Sequence, residues 1–204
     1  MNMIPSMKFR QKNPKRNGIY NIMPIENIPS VLEHGILSYI IAQSIIHKSV
    51  AMNIIQNKRD KVIIPNGYDL HNYANLYFDA RNPMMFKRKN EDVLVLKIDI
   101  RIIDLPDVII SDQNASSKYA RFYEPSEAID KLDFSMIYSR DWNDSNLFMY
   151  YKKKSAKCAE ILVPDRIDPK YIIAAAVRDY DDKKRIEQYG FDRKIVVEPD
   201  WFFM

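Results

Sequence analysis

Apolar and polar positions along the chain alternate in two rhythms, one of period two and one of helical spacing. Ile19–Met23 reads as a short strand closed by Pro24, and Asn27-Ile28-Pro29-Ser30 opens a helix that tolerates proline in its first turn. Gly35 stands where a helix C-cap is expected. The pattern then predicts a second helix from about Ala42 to Arg59, and a turn at Pro65-Asn66-Gly67. Strands follow: aromatic-rich Tyr73–Asp79, whose alternation predicts a half-buried strand, and the β-branched run Val93–Ile100. Residues 111–145 are polar and irregular, which predicts a long loop that is either functional or disordered. Ala159–Val163 and Tyr171–Val177 are two more predicted strands. Arg178–Tyr189 reads as a charged surface helix stopped at Gly190, and Ile195–Val197 as a last strand. Helices early, strands around a long loop and a closing helix predict an α+β domain on a mixed or antiparallel sheet.

Composition narrows this picture. The chain has 204 residues, 47% of them hydrophobic and 12% aromatic, enough for one packed domain over residues 18–204. No apolar run approaches the roughly 18 residues that span a bilayer. The N-terminal segment has no apolar signal-like stretch, and the lone Cys158 fits a reducing compartment. The expectation is a soluble, cytoplasmic, monomeric protein with no membrane contact. The net charge of +4 is uneven. Lys8, Arg10, Lys12, Lys15 and Arg16 give residues 1–17 the look of a flexible basic arm, and Lys152, Lys153, Lys154 and Lys157 form a second cluster. Such clusters read first as solvated charge and second as contacts to phosphate.

Several chemistries are excluded. The four glycines, Gly18, Gly35, Gly67 and Gly190, lie far apart, so neither GxGxxG nor a P-loop exists. Any bound phosphate must be held by side chains. His34, His47, His71 and Cys158 show no zinc-type spacing, so no metal is expected. Cys158 reads as a small residue beside a strand. Two charged residues stay ambiguous on pattern alone. Arg81, in a proline-fixed turn, is either a structural ion-pair partner or a ligand contact. Glu160, opening an apolar strand after the long loop, is either a strand-edge surface residue or a carboxylate aimed into a cleft.

Four segments in order resemble the DarT family of DNA ADP-ribosyltransferases. The first is Ile19-Tyr20-Asn21-Ile22 with Asn27-Ile28-Pro29-Ser30-Val31-Leu32 and Gly35-Ile36-Leu37. The second is Tyr77-Phe78-Asp79-Ala80-Arg81-Asn82-Pro83-Met84. The third is Asp112-Gln113-Asn114-Ala115, and the fourth Cys158-Ala159-Glu160-Ile161-Leu162-Val163. The resemblance implies an ADP-ribosyltransferase-like fold, with a split mixed β-sheet and an NAD-binding cleft.

By the same resemblance, the backbone around Tyr20, Asn21 and Ile22 grips nicotinamide. Asn27, Leu37 and Arg59 join these as cofactor-binding residues, and the element from Leu37 to about Lys61 binds NAD+. Glu160 and Arg59 are the implied catalytic pair. The stretch from Asp112 to Glu160 is the implied substrate loop, with Tyr119, Arg121, Lys154 and Lys157 as DNA-binding residues. Phe122 and Tyr123 in that loop serve either as base-stacking aromatics or as anchors. The implied activity is that of a toxin. It moves ADP-ribose from NAD+ to a base of single-stranded DNA, releases nicotinamide and blocks replication. Its implied partner is a DarG-type macrodomain antitoxin. Asn21 and Gln113 depart from the family's usual histidine and glycine. Guanine and thymine are the two acceptor options, with a lean toward guanine. Two other functions fit less of the pattern: a same-fold enzyme acting on RNA or protein, and a nucleic-acid-binding module without catalysis.

Overall fold

The computed structural model describes residues 3–16, 18–48, 59–65 and 67–204. Its centre is an eight-stranded sheet in the order β10-β9-β4-β1-β3-β7-β5-β6. These strands are β1 (Gly18–Pro24), β3 (Tyr73–Tyr77), β4 (Val93–Asp99), β5 (Ile109–Ser111), β6 (Phe122–Tyr123), β7 (Glu160–Pro164), β9 (Ile172–Val177) and β10 (Lys194–Val197). β9 and β10 run parallel, while the other neighbours are antiparallel. A small second sheet pairs β2 (Ile36–Leu37) with β8 (Arg166–Ile167).

The sheet is divided at its middle. β1 and β4 pair along seven positions, Gly18 to Pro24, but β1 and β3 share the single pair Tyr20–Tyr77. This is the split, and it opens the sheet beside β1. Asn21 spans it on one side, its Nδ2 donating to the Asn75 carbonyl of β3 at 3.1 Å.

The two faces differ in cover. One is packed by α1 (Pro5–Lys12), α2 (Ile28–His34), α5 (Pro125–Lys131) and α8 (Tyr180–Gln188), whose Phe9, Ile28, Ala128 and Ile186 join Leu76, Leu96 and Ile161 in the main core. The other carries two smaller clusters. Tyr20, Tyr77 and Val95 pack with Met85 of α4 (Pro83–Arg88) and with Phe202. Tyr73 and Leu162 pack with Ile64, Leu70 and Ala115.

Several expectations are met closely. α2 ends where Gly35 takes φ 83°, and a Cβ there would lie 2.1 Å from the Ile167 carbonyl oxygen. The closing helix starts with Asp179 capping two backbone N–H groups and ends before Gly190. Gly67 N–H donates to the Ile64 carbonyl and closes the expected turn.

Others are corrected. The N-terminal segment is not a flexible arm: α1 inserts a fully buried Phe9 against Phe78 and Phe134. Ser6 donates to Asp104, and Lys8 and Lys12 both bind Asp130, so these cations are spent on the fold. Asp130 is thereby held down at about 2. The expected Ala42–Arg59 helix does not run through residues 43–48, which follow the four-residue α3 (Tyr39–Ala42) as turn, bend and irregular chain. Residues 49–58 lie outside the described residues. β3 is buried along nearly its whole length, not half-buried, because a central strand is covered on both faces. The 111–145 stretch contains β6, α5, α6 (Phe134–Ile137) and only short irregular links.

Because Phe9 is wholly enclosed, Phe9→Ala is expected to lower the unfolding free energy by about 3–5 kcal/mol. Urea unfolding would measure it, and a loss under about 0.5 kcal/mol, the ordinary surface range, would return the segment to a loose arm.

Candidate active site

Directly paired strand residues point to the same face. Tyr20 pairs with Tyr77, Tyr77 with Glu160, and Glu160 with Ser111. These four therefore form one row across the sheet, on the thinly covered face and over the split. Glu160 stands between the two small clusters and has no solvent exposure.

A charge so placed needs partners. Arg59 Nη1 donates to Glu160 Oε2 at 3.0 Å, and the Ala115 N–H donates to Oε1 at 2.9 Å. The Glu160 N–H itself donates to Ser111 Oγ at 3.3 Å, and Ser111 Oγ donates to the Gln113 carbonyl. Arg59 is nearly as buried, with 8% exposure. Its position comes from a short ladder: Val62 N–H donates to the Arg59 carbonyl, and Leu70 N–H to the Val62 carbonyl. So the two expected catalytic residues, 101 positions apart in sequence, meet in one buried pair.

The tyrosines of the row are apolar walls with polar tips. Burial, with Asp79 adding to it, pushes the Tyr20 hydroxyl up to about 12. Burial and the Glu160 carboxylate raise Tyr77 further. Both therefore stay protonated at neutral pH. Burial also pushes the Cys158 thiol up to about 12, which removes it as a nucleophile.

Of the expected cofactor residues, Tyr20, Asn21 and Ile22 lie on β1 beside the split. Tyr20, Asn21 and Ile22 are buried in β1, with Tyr20 and Ile22 on the Glu160 face and Asn21 on the other. Asn21 Oδ1 is buried without a hydrogen-bond partner among the described residues, an acceptor available to a donor entering the split. Asn27 makes a reciprocal pair of bonds with the Lys48 backbone, so it fixes the chain that leads away from α3. Leu37 is half-buried in β2 opposite Arg166. Among the described residues there is no group of three or more His, Cys, Asp or Glu able to hold a metal.

The loop after β5 is compact. Asp112 N–H donates to the Arg121 carbonyl, Asp112 Oδ1 accepts the Arg121 N–H at 3.0 Å, and Gln113 Nε2 donates to the Tyr119 carbonyl. Tyr119 projects outward with 69% exposure, and Arg121 is exposed. Phe122 and Tyr123 are half-buried and pack on the core, so of the two roles they take that of anchors. Lys154, on α7 (Leu147–Ala156), is half-buried and leans on Tyr150.

Two charged residues turn out structural. Lys157 is buried, its ammonium donating to Asp79 at 2.6 Å and to the carbonyls of Ile137 and Ser139, so it cannot meet DNA. Arg81 resolves the same way: it donates to the carbonyls of Asp200 and Arg140 and lies 4.0 Å over the Phe203 ring. Sequence reasoning missed the exposed Leu147, Phe148 and Tyr151 of α7, a helix without a buried residue. Their spacing beside three lysines was the available signal.

A family model described as ssDNA thymidine ADP-ribosyltransferase, DarT, matches residues 20–203. A DNA ADP-ribosyl transferase–DNA ADP-ribosyl glycohydrolase fusion protein of Thermosipho africanus is 33% identical over 201 residues, 94% of this chain and 50% of its own. The chain thus spans about half the length of that relative. The structure of Thermosipho africanus DarTG in complex with ADP-ribose is similar with a TM-score of 0.79 and 29% identity, over 92% of this chain and 51% of that one. That of Thermus sp. 2.9 DarT in complex with ADP-ribosylated ssDNA has a TM-score of 0.76 and 25% identity, over 92% of this chain and 97% of that one. With a sheet split beside a buried arginine–glutamate pair, and a family match along nearly its whole length, the chain belongs to the DarT family.

Proposed function

We propose that the protein transfers ADP-ribose from NAD+ to thymidine in single-stranded DNA, with release of nicotinamide. The observation that carries this is the buried Arg59–Glu160 pair on the split of the sheet. Support comes from the family model, named for thymidine, and from the relatives seen with ADP-ribose and with ADP-ribosylated ssDNA. The thymidine description outweighs the sequence lean toward guanine.

The chemistry follows from the residue types. Cleaving the nicotinamide–ribose bond leaves positive charge on the ribose C1′. A carboxylate already desolvated and fixed by two donors needs no reorganisation to stabilise that charge, and it can orient a ribose hydroxyl. Arg59 spends Nη1 on Glu160 and keeps its remaining donors for the pyrophosphate, the task that a glycine-rich loop does elsewhere. The new bond joins C1′ to the acceptor base, which gives up one proton. A guanidinium does not take that proton, so Glu160 accepts it, and Arg59 steadies the negative charge that builds on the pyrimidine until the new bond to the C1′ cation neutralises it. Tyr20, Asn21 and Ile22 hold the nicotinamide end.

The acceptor must be unpaired, since a duplex hides the base edge. Tyr119 and Arg121 on the loop, and Phe148 and Tyr151 on α7 with Lys152 and Lys154, offer aromatic faces and cations to a single strand. The glycohydrolase half of the Thermosipho relative supports a macrodomain antitoxin of the DarG type that reverses the mark, and so a toxin role that blocks replication. No described helix is long and apolar enough to cross a membrane. A cytoplasmic, monomeric enzyme is the setting proposed.

Incubation with labelled NAD+ and a thymidine-containing oligonucleotide is expected to add the mass of one ADP-ribose to the DNA. Label on RNA or protein alone would reject the assignment. Glu160→Ala is expected to lower transfer by about 100-fold or more, the usual cost of losing a preorganised electrostatic partner. A fully active Glu160→Ala enzyme would remove Glu160 from the site.

The two classes of lysine separate in a second experiment. Lys157→Ala is expected to cost about 3–5 kcal/mol of stability, because it strands Asp79 and two carbonyls. Lys152→Ala is expected to leave the melting temperature in place and to flatten the salt dependence of DNA binding by about one unit of slope or less. The reverse pattern would return Lys157 to the DNA surface.

A further inference from the structure

Arg59 has two sides. One meets Glu160, and the other lines a cavity of about 260 Å³ shared with Tyr39, Gln43, Asp60, Asp69 and His71. His71 lies in the single 3-10 turn Leu70–Asn72 that leads into β3, and it is 6% exposed. Its Nδ1 is 2.8 Å from Asp60 Oδ1, and its ring packs on Tyr39 with centroids 4.3 Å apart. Its Nε2 is buried and has no partner among the described residues.

This geometry selects one form of the ring. A nitrogen facing a carboxylate carries the proton, which leaves the lone pair on Nε2. A protonated ring would bury a second N–H with no acceptor. Burial accordingly holds His71 below its ordinary 6.5, Asp60 and Asp69 pulling upward and Arg59 pushing down. Neutral His71 is thus a one-handed donor whose target is Asp60.

Asp60 is the peptide neighbour of Arg59, and its side chain is 57% exposed. Among the described residues, His71 is the side chain that holds that carboxylate. With Asp60 fixed by His71, and the Arg59 carbonyl fixed by Val62 N–H, the backbone on the C-terminal side of Arg59 is held at two points. We propose that His71 is a positioning residue: by anchoring Asp60 it aims Arg59 at Glu160. The assignment rests on the transferase reading above.

The test compares His71→Ala, His71→Asn and Asp60→Ala in steady-state transfer, with melting temperature as the folding control. Asparagine keeps an N–H near the Nδ1 position, and alanine removes it. His71→Ala and Asp60→Ala are each expected to lower kcat by about 10–100-fold with the KM for DNA unchanged, as misplacement near 1 Å does. His71→Asn is expected to recover most of that loss. Full kcat in a folded His71→Ala, or an inactive but stable His71→Asn, overturns the proposal. Should His71→Ala fail to fold, full kcat in Asp60→Ala overturns it equally. A wild-type enzyme that transfers nothing rejects the transferase reading instead.

Discussion

The Glu160 carboxylate has no contact with solvent, and an isolated charge in that position would cost several kcal/mol. Its two oxygens are therefore satisfied from two directions. Arg59 comes from the segment that precedes β3, and the Ala115 N–H from the loop after β5. One carboxylate thus pins together the element that leads from α3 and the loop expected to read the substrate. The strand register adds the third constraint: Glu160 pairs with Tyr77, which pairs with Tyr20 at the single contact across the split. Displacing either donor segment leaves a buried charge unmatched.

The same arrangement accounts for a missing device. With four scattered glycines, the chain has no backbone cradle for phosphate. In the proposed function an arginine held against a glutamate takes its place, preorganised by its own ion pair and by the ladder through Val62 and Leu70. Under that proposal, specificity for a single strand falls to exposed groups outside the pair, Tyr119 and Arg121 on the loop and the uncovered residues of α7.

The regular elements were legible where pattern and punctuation agree. The β-branched run of β4, the Gly35 stop and the Asp179-capped closing helix are read from residue type and spacing. The stretch 111–145 was not legible, because its elements are two to seven residues long and too short to show a period. Its caps were visible, though: Pro125 in the first turn of α5 and Asp133 before α6. The N-terminal lysines looked solvated since nothing local reveals Asp130, more than a hundred residues away. Lys157 misled for the same reason, as its partner Asp79 is 78 positions distant. Glu160 and Arg59 came from the family resemblance. Pattern alone left Glu160 divided between surface and cleft, and burial decides between them.

The most direct measurement is a crystal structure of this protein with a non-hydrolysable NAD+ analogue. The account expects a Glu160 carboxylate oxygen within hydrogen-bond reach of a ribose hydroxyl, about 2.6–3.2 Å, and Arg59 on the pyrophosphate. An analogue bound with its ribose remote from Glu160, leaving the Arg59 pair untouched, would contradict it.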